Sequence, residues 1–369
     1  DDVCVWLGSV GLGHLSDAFR RHRVDGEVLM DLQPSDHDHL QVTALGDRKK
    51  LQAKVKELVA RLPPAPDPPG PTSHTPTTPV TNAAAPWMIR RGDVDVGERI
   101  GEGSFGAVYV GTFRGSTVAV KKTLRAVDEV QQLDLRREAE TMQSIPGHAN
   151  ILQFFGACFD ADGVLLVVEY CDAGSLDRYL AKQPHVDALT RLALCEQVAA
   201  GMSHLEQLHV VHRDLAARNV LLKRGFGSAG EVVLIAKVAD FGLARQLKED
   251  SEYLVHSSVA FRWAAPEVLR SHRHSSASDV WSFGVLCWEV FSPPPARPYA
   301  ELRDNNDVLD AVVRHRRTLS APPGCDSAVW TAAIQPCFVY DAQGRPTFTQ
   351  LYTTFKRLRA GRKADYVLL

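Results

Sequence analysis

The stretch that most constrains this chain is His212-Arg213-Asp214-Leu215-Ala216-Ala217-Arg218-Asn219. It lies between an apolar, helix-like run at 189–205 and a β-like run at 220–222, so it is predicted to be a tight loop joining a helix to a strand. A carboxylate on such a loop can face a substrate hydroxyl. Asp214 can accept the proton of an attacking hydroxyl, and Asn219, five residues on, can offer a carbonyl oxygen to a Mg²⁺ ion. A base and a metal ligand at this spacing predict phosphoryl transfer.

Three more stretches extend the pattern. Ile100-Gly101-Glu102-Gly103-Ser104-Phe105-Gly106-Ala107-Val108 reads Gly-x-Gly-x-x-Gly-x-Val and runs into the β-like Tyr109-Val110. Its glycines let a backbone close over phosphates without a Cβ in the way. A dinucleotide-binding turn would need a helix next, whereas Val118-Ala119-Val120-Lys121 continues as strand, so the loop belongs to a hairpin. Asp240-Phe241-Gly242 follows a strand-like run at 232–239, and Ala265-Pro266-Glu267 lies downstream.

With these motifs in this order, residues from Asp93 to about Leu358 resemble a protein kinase catalytic domain, about three quarters of the chain. The Ala216-Ala217-Arg218 filling resembles the tyrosine kinase group. A kinase for Ser or Thr usually has a Lys two residues after the base, where this chain has Ala216, with Arg218 four after it. The resemblance implies an α+β fold of two lobes within 87–360, a small β-rich lobe at about 93–171 and a large helical lobe at about 172–358. It implies ATP and Mg²⁺ as cofactors. Residues 100–106, Val108 and Ala119 would surround the nucleotide, and Lys121 would contact its α- and β-phosphates, held by Glu138 from a helical run at 133–144. The Glu169 carbonyl and the Cys171 amide would meet adenine, with Val168 as gatekeeper and Leu221 as floor. The Cys171 thiol reads as apolar filler. Asn219 and Asp240 would hold the metal, with Asp214 as base beside Arg218.

The same resemblance makes 243–265 an activation loop with Tyr253 as its only tyrosine, and Arg213 and Arg245 as receptors for a phosphate on it. Asp279 would brace the catalytic loop, and Arg345 would pair with Glu267. Two departures stand out: Phe338 replaces a usual Trp, and Ala260 lies where tyrosine kinases typically carry a proline that supports the substrate ring. The second keeps dual-specificity or Ser/Thr activity open. A kinase-shaped scaffold without chemistry is a further alternative.

Residues 1–62 read as a small all-α unit, with apolar residues such as Leu12, Leu15 and Phe19, and Leu51, Val55, Leu58 and Leu62, at helical spacings. Trp6-Leu7, Gly11-Leu12-Gly13, residues 25–29 and Leu45-Gly46-Asp47 resemble a sterile alpha motif (SAM) domain of about five helices, with Asp47 as an N-cap of the last. That family implies binding to other SAM domains, of its own or another kind. The acidic Asp31, Asp36 and Asp38 could meet Arg48, Lys49 and Lys50 of a second copy, or both groups could be solvated faces. Asp36-His37-Asp38-His39 alternates on a loop and is not expected to converge on a metal.

Residues 63–86 hold nine of the 21 prolines and cannot bury a core. They read as a semi-rigid linker reaching about 70 Å at ~3 Å per residue, with a proline-rich ligand as the alternative. Residues 361–369 read as a tail whose Tyr366, followed by aliphatic residues, would suit a phosphotyrosine-binding domain. Lys and Arg total 42 against 44 Asp and Glu, a net charge of -2 that gives no ground for nucleic-acid binding. Seven scattered cysteines without a Cys-x-x-Cys pair fit reduced thiols and a cytoplasmic setting. No run reaches the roughly 18 apolar residues of a membrane helix. The chain opens on Asp1, as expected for a piece of a longer protein that could carry an anchor elsewhere.

Overall fold

The computed structural model describes residues 2–21, 24, 29, 40, 42, 44–60, 87–103, 106–123, 129–160, 163–183, 185–227, 230–246, 253, 254 and 259–367. Ser104, Phe105, the 63–86 linker, Asp31 and residues 36–39 therefore lie outside the described residues. The chain divides into two compact units, Asp1–Thr81 and Asn82–Leu369.

The first unit contains α1 (Asp2–Ser9), a 3₁₀ turn at Gly13–Leu15, α2 (Ser16–Arg21) and α3 (Leu45–Ala60). Leu7, Leu12, Phe19 and Leu51 are fully buried in its core with Leu29, Leu40 and Val42. Each large side chain so buried contributes about 1.5–3 kcal/mol. Helix α3 starts earlier than its sequence suggests. Ala44 O already accepts the Arg48 N–H at 3.1 Å, so Asp47 lies inside the first turn instead of capping it. Its carboxylate has a tertiary partner, His14 Nε2 at 2.9 Å. The basic group is also partly committed: Arg48 Nε donates to Val42 O at 2.6 Å and Lys50 Nζ to Gly11 O at 3.5 Å.

In the second unit, β1 (Val94–Gly103), β2 (Gly106–Phe113), β3 (Ser116–Lys122), β4 (Phe154–Asp160) and β5 (Gly163–Glu169) form an antiparallel sheet in the order β1-β2-β3-β5-β4. Helix α4 (Glu129–Ser144) buries Leu135, Ala139 and Met142, spaced four and three residues apart so that they share one face. Trp87, buried, sets its ring edge-on to Phe159 of β4 at 5.9 Å. The C-terminal lobe opens with β6 (Gly174–Ser175) and α5 (Leu176–Lys182). Helix α6 (Ala188–Gln207) follows, capped by Asp187, whose carboxylate accepts the Thr190 N–H at 2.9 Å.

Next come β7 (Val210–Val211), β8 (Val220–Phe226) and β9 (Val232–Val238). The β8–β9 ladder extends out to Phe226 opposite Val232, so Arg224, Gly225 and Phe226 belong to the strand. The chain continues through β10 (Arg245–Gln246), β11 (Tyr253–Leu254), α7 (Pro266–Ser271), β12 (Arg273–His274), α8 (Ser276–Phe291), α9 (Asn305–Leu309) and α10 (Phe348–Val367). A capping box between Ser275 and Ser278 starts α8, whose Trp281, Phe283 and Val285 are buried. Helix α10 runs on through Val367, so Tyr366 lies in its last turn and not in an extended tail. Among the described residues no helix is long and apolar enough to cross a membrane.

Candidate active site

Helix α8 and the segment that follows β9 hold the catalytic loop from outside. Asp279 of α8 is fully buried and accepts the N–H groups of His212 at 2.7 Å and Arg213 at 2.9 Å. This carboxyl is pushed up to about 6 by burial, against the two amides and the nearby Arg213 and His212. His212 Nε2 meets Ala239 O at 3.0 Å, and its ring lies 5.4 Å from that of Phe241, which is wholly buried. Asn150 ties the loop after α4 to β9 by donating to Ala236 O at 3.0 Å. The fold therefore fixes the backbone on which Asp214 sits.

Around Asp214 the side chains converge. Asn219 Nδ2 donates to Asp214 Oδ2 at 2.8 Å and to Asp214 O at 2.7 Å. With the nitrogen spent on two oxygens, the amide oxygen is the end left for an electrophile, which fits a metal ligand. Arg218 donates to Asp214 Oδ1 and stacks over the Trp263 ring at 4.5 Å. Trp263 in turn donates its Nε1–H to Glu289 Oε2 at 2.9 Å, the same atom that accepts the Ala217 N–H at 3.0 Å. Burial pushes the Glu289 carboxyl up to about 7, opposed by these two bonds and by Arg218.

On the other wall, Lys121 Nζ lies 3.1 Å from Glu138 Oε1, joining β3 to α4. Gly106 turns back so closely that a Cβ would lie 2.2 Å from Lys122 O, with φ at +149°. Only glycine fits there. Asp240 has a left-handed backbone, φ 63°, and Phe241 lines a crevice with Met142 of α4. Strand β5 ends at Glu169, followed by half-buried Tyr170 and Cys171. Cys171 is pushed up to about 12 by burial and the Glu169 carboxylate, so it stays a thiol.

The structure thus brings Asp214, Arg218 and Asn219 together, and Lys121 with Glu138. Val108 and Lys121 are cross-strand partners, Ala119 is the partner of Val168, and Leu221 is half-buried on β8. Glu102 is turned away, pairing with Arg99 at 3.3 Å on the solvent side, and Ile100 is exposed. For Arg245 and Tyr253 the backbone alone is described; it pairs Arg245 with Val211 and Tyr253 with His274. Glu267 and Arg345 form the expected pair, bidentate at 2.7 and 2.8 Å.

Two contributors escaped the sequence reading. Glu289 lies 72 residues from the amide it holds. Glu169 accepts Lys223 Nζ at 2.8 Å and Lys237 Nζ at 2.7 Å, locking the segment between the lobes to β8 and β9. Neither pairing has a local spacing that would reveal it.

Residues 94–355, more than half of the chain, match the model for the protein tyrosine and serine/threonine kinase family. The chain belongs to that family. Residues 1–58 match the SAM domain, so a SAM domain precedes the kinase domain. The chain is 35% identical over 269 residues to a tyrosine-protein kinase, SRK3, of Spongilla lacustris, covering 72% of this chain and 76% of that protein. It is 36% identical over 301 residues to the Abl tyrosine kinase of Drosophila melanogaster, covering 79% of this chain and 17% of Abl. Against the tyrosine kinase Fer of Mus musculus it is 36% identical over 273 residues, 72% of this chain and 31% of Fer. The kinase chain spans 32%, 17% and 50% of the length of the first curated relatives it matches.

Proposed function

We propose that this chain transfers the γ-phosphate of ATP to tyrosine hydroxyls of proteins. The observation that carries this reading is the convergence of Arg218 and Asn219 on Asp214. Asp214 orients the phenolic hydroxyl and takes its proton as the new bond forms. Lys121, aligned by Glu138, holds the phosphates, and the backbone at Gly101, Gly103 and Gly106 closes over them. Asn219 and Asp240 supply the oxygens for Mg²⁺, which when bound neutralises charge on the transferred group. The fruit-fly, sponge and mouse relatives are all named tyrosine kinases. Label from γ-³²P ATP should pass to a Glu/Tyr copolymer only with Mg²⁺, and not in Asp240→Asn. ATP binding without any transfer would favour the scaffold reading instead.

Regulation follows from the same parts. A phosphate on Tyr253 would add about −1.5 to −2 units of charge near Arg213 and Arg245 and order the loop that carries it. The SAM domain would bring chains together. Across a linker reaching about 70 Å, two kinase domains tethered at touching SAM domains see each other nearer millimolar than micromolar concentration. Clustering then accelerates Tyr253 phosphorylation in trans. Phosphorylated Tyr366 would serve as a docking site for phosphotyrosine-binding domains after the last turn of α10 unwinds.

A further inference from the structure

The two-stranded ladder of β11 and β12 pairs Tyr253 directly with His274. His274 is 5% exposed, and its Nε2 has no hydrogen-bond partner among the described residues. A buried polar nitrogen without a partner is costly, and native structures rarely tolerate one unless a ligand completes it. Its ring lines a small crevice with Arg213, Ser278 and Asp279.

The surroundings of that nitrogen suit an anion. The catalytic loop contributes Arg213, whose backbone is fixed by Asp279, and Asp214, which is engaged by Arg218 and Asn219. Helix α8 contributes Ser278 and Asp279, the latter spent on two backbone amides. His272 lies on the histidine's own side, and the segment at 259–265 brings only Val259, Ala260, Trp263, Ala264 and Ala265 to the crevice. Cations beside an imidazole disfavour its protonation. Burial, Arg213 and His272 hold His274 down to about 4, so at neutral pH it is uncharged.

We propose that His274 is a phosphate ligand, receiving with Arg213 the phosphate of Tyr253 and taking up a proton as it does so. This rests on the reading that Tyr253 is phosphorylated. A phosphate dianion at Nε2 reverses the local field and raises the affinity of the ring for a proton. The imidazolium then donates a charge-assisted hydrogen bond. The bond is present below the raised value and fades as pH climbs past it, while below about pH 6 the phosphate itself loses charge. The phosphorylated loop is therefore held best on the acid side of neutrality.

The test uses the full chain, phosphorylated on Tyr253 as verified by mass spectrometry. Its activity is divided by that of the unphosphorylated chain at pH 6.5 and 8.0. In the wild type the ratio falls several-fold between the two values. In His274→Phe it is low and flat, and in His274→Gln, which keeps a donor that cannot titrate, it is intermediate and flat. The ³¹P titration of the phosphotyrosine supplies a readout independent of activity, with its midpoint lower in the wild type than in His274→Phe. Superimposable ³¹P titrations and equal ratios in wild type and His274→Phe would overturn the proposal. A wild type that gains nothing from Tyr253 phosphorylation removes the activation reading, and the ³¹P comparison still decides whether His274 binds the phosphate.

Discussion

The Glu138 carboxylate lies 3.1 Å from the Lys121 ammonium, with only 4% of its side chain exposed. Little solvent screens the pair, so the lysine is held in one place on β3. A lysine without its anion would wander over several rotamers.

Lys121→Met should lower kcat by about 10²–10³-fold, the scale of removing one preorganised charge from a phosphoryl-transfer site. Glu138→Gln should fall between this variant and the wild type, because an amide oxygen still accepts from Nζ. Steady-state kinetics on both, with circular dichroism to show that each is folded, checks the order. Equal kcat in Glu138→Gln and wild type would detach α4 from catalysis.

Glu289 predicts a pH dependence of stability. Its carboxyl stands at about 7 in the folded protein, against about 4.3 for an unfolded glutamate. A raised value means that the folded form prefers the proton, so this contribution is complete below about pH 4.3 and is lost as pH rises to 7. Gln has no such loss, and its carbonyl can accept both N–H groups that Oε2 accepts. The melting temperature of Glu289→Gln minus that of the wild type should therefore increase between pH 5 and pH 8. A constant difference across this range would contradict the account.

How much of this was legible in the sequence depends on how local each signal is. The Asp214–Asn219 loop, the glycines at 101–106 and Asp240-Phe241-Gly242 carry their chemistry within a few residues. The Glu267–Arg345 pair was visible only through the family pattern, being 78 residues apart. Glu289 and the Glu169 clamp were not legible, since a glutamate in α8 or β5 has nothing in its neighbourhood to name a distant partner. Asp47 failed for a related reason: a residue type that often caps helices was taken by His14 across the SAM domain.

The SAM surface can be dissected because its three basic residues differ. Arg48 is tied to Val42 O, so Arg48→Ala should cost the SAM domain about 1 kcal/mol of stability. Lys49 is exposed and makes no such bond among the described residues. Lys49→Glu should leave that stability unchanged and slow autophosphorylation at nanomolar protein, while both proteins reach the same peptide turnover once Tyr253 is fully modified. Equal rates at nanomolar protein would leave the SAM domain as a recruitment module.

The most direct test of the central claim is the identity of the product. The full chain is incubated with Mg-ATP and a randomised peptide library, and the phosphorylated residue is identified by mass spectrometry. The account predicts phosphotyrosine, abolished in Asp214→Asn. Phosphoserine or phosphothreonine as the main product, or phosphotyrosine that persists in Asp214→Asn, would contradict it.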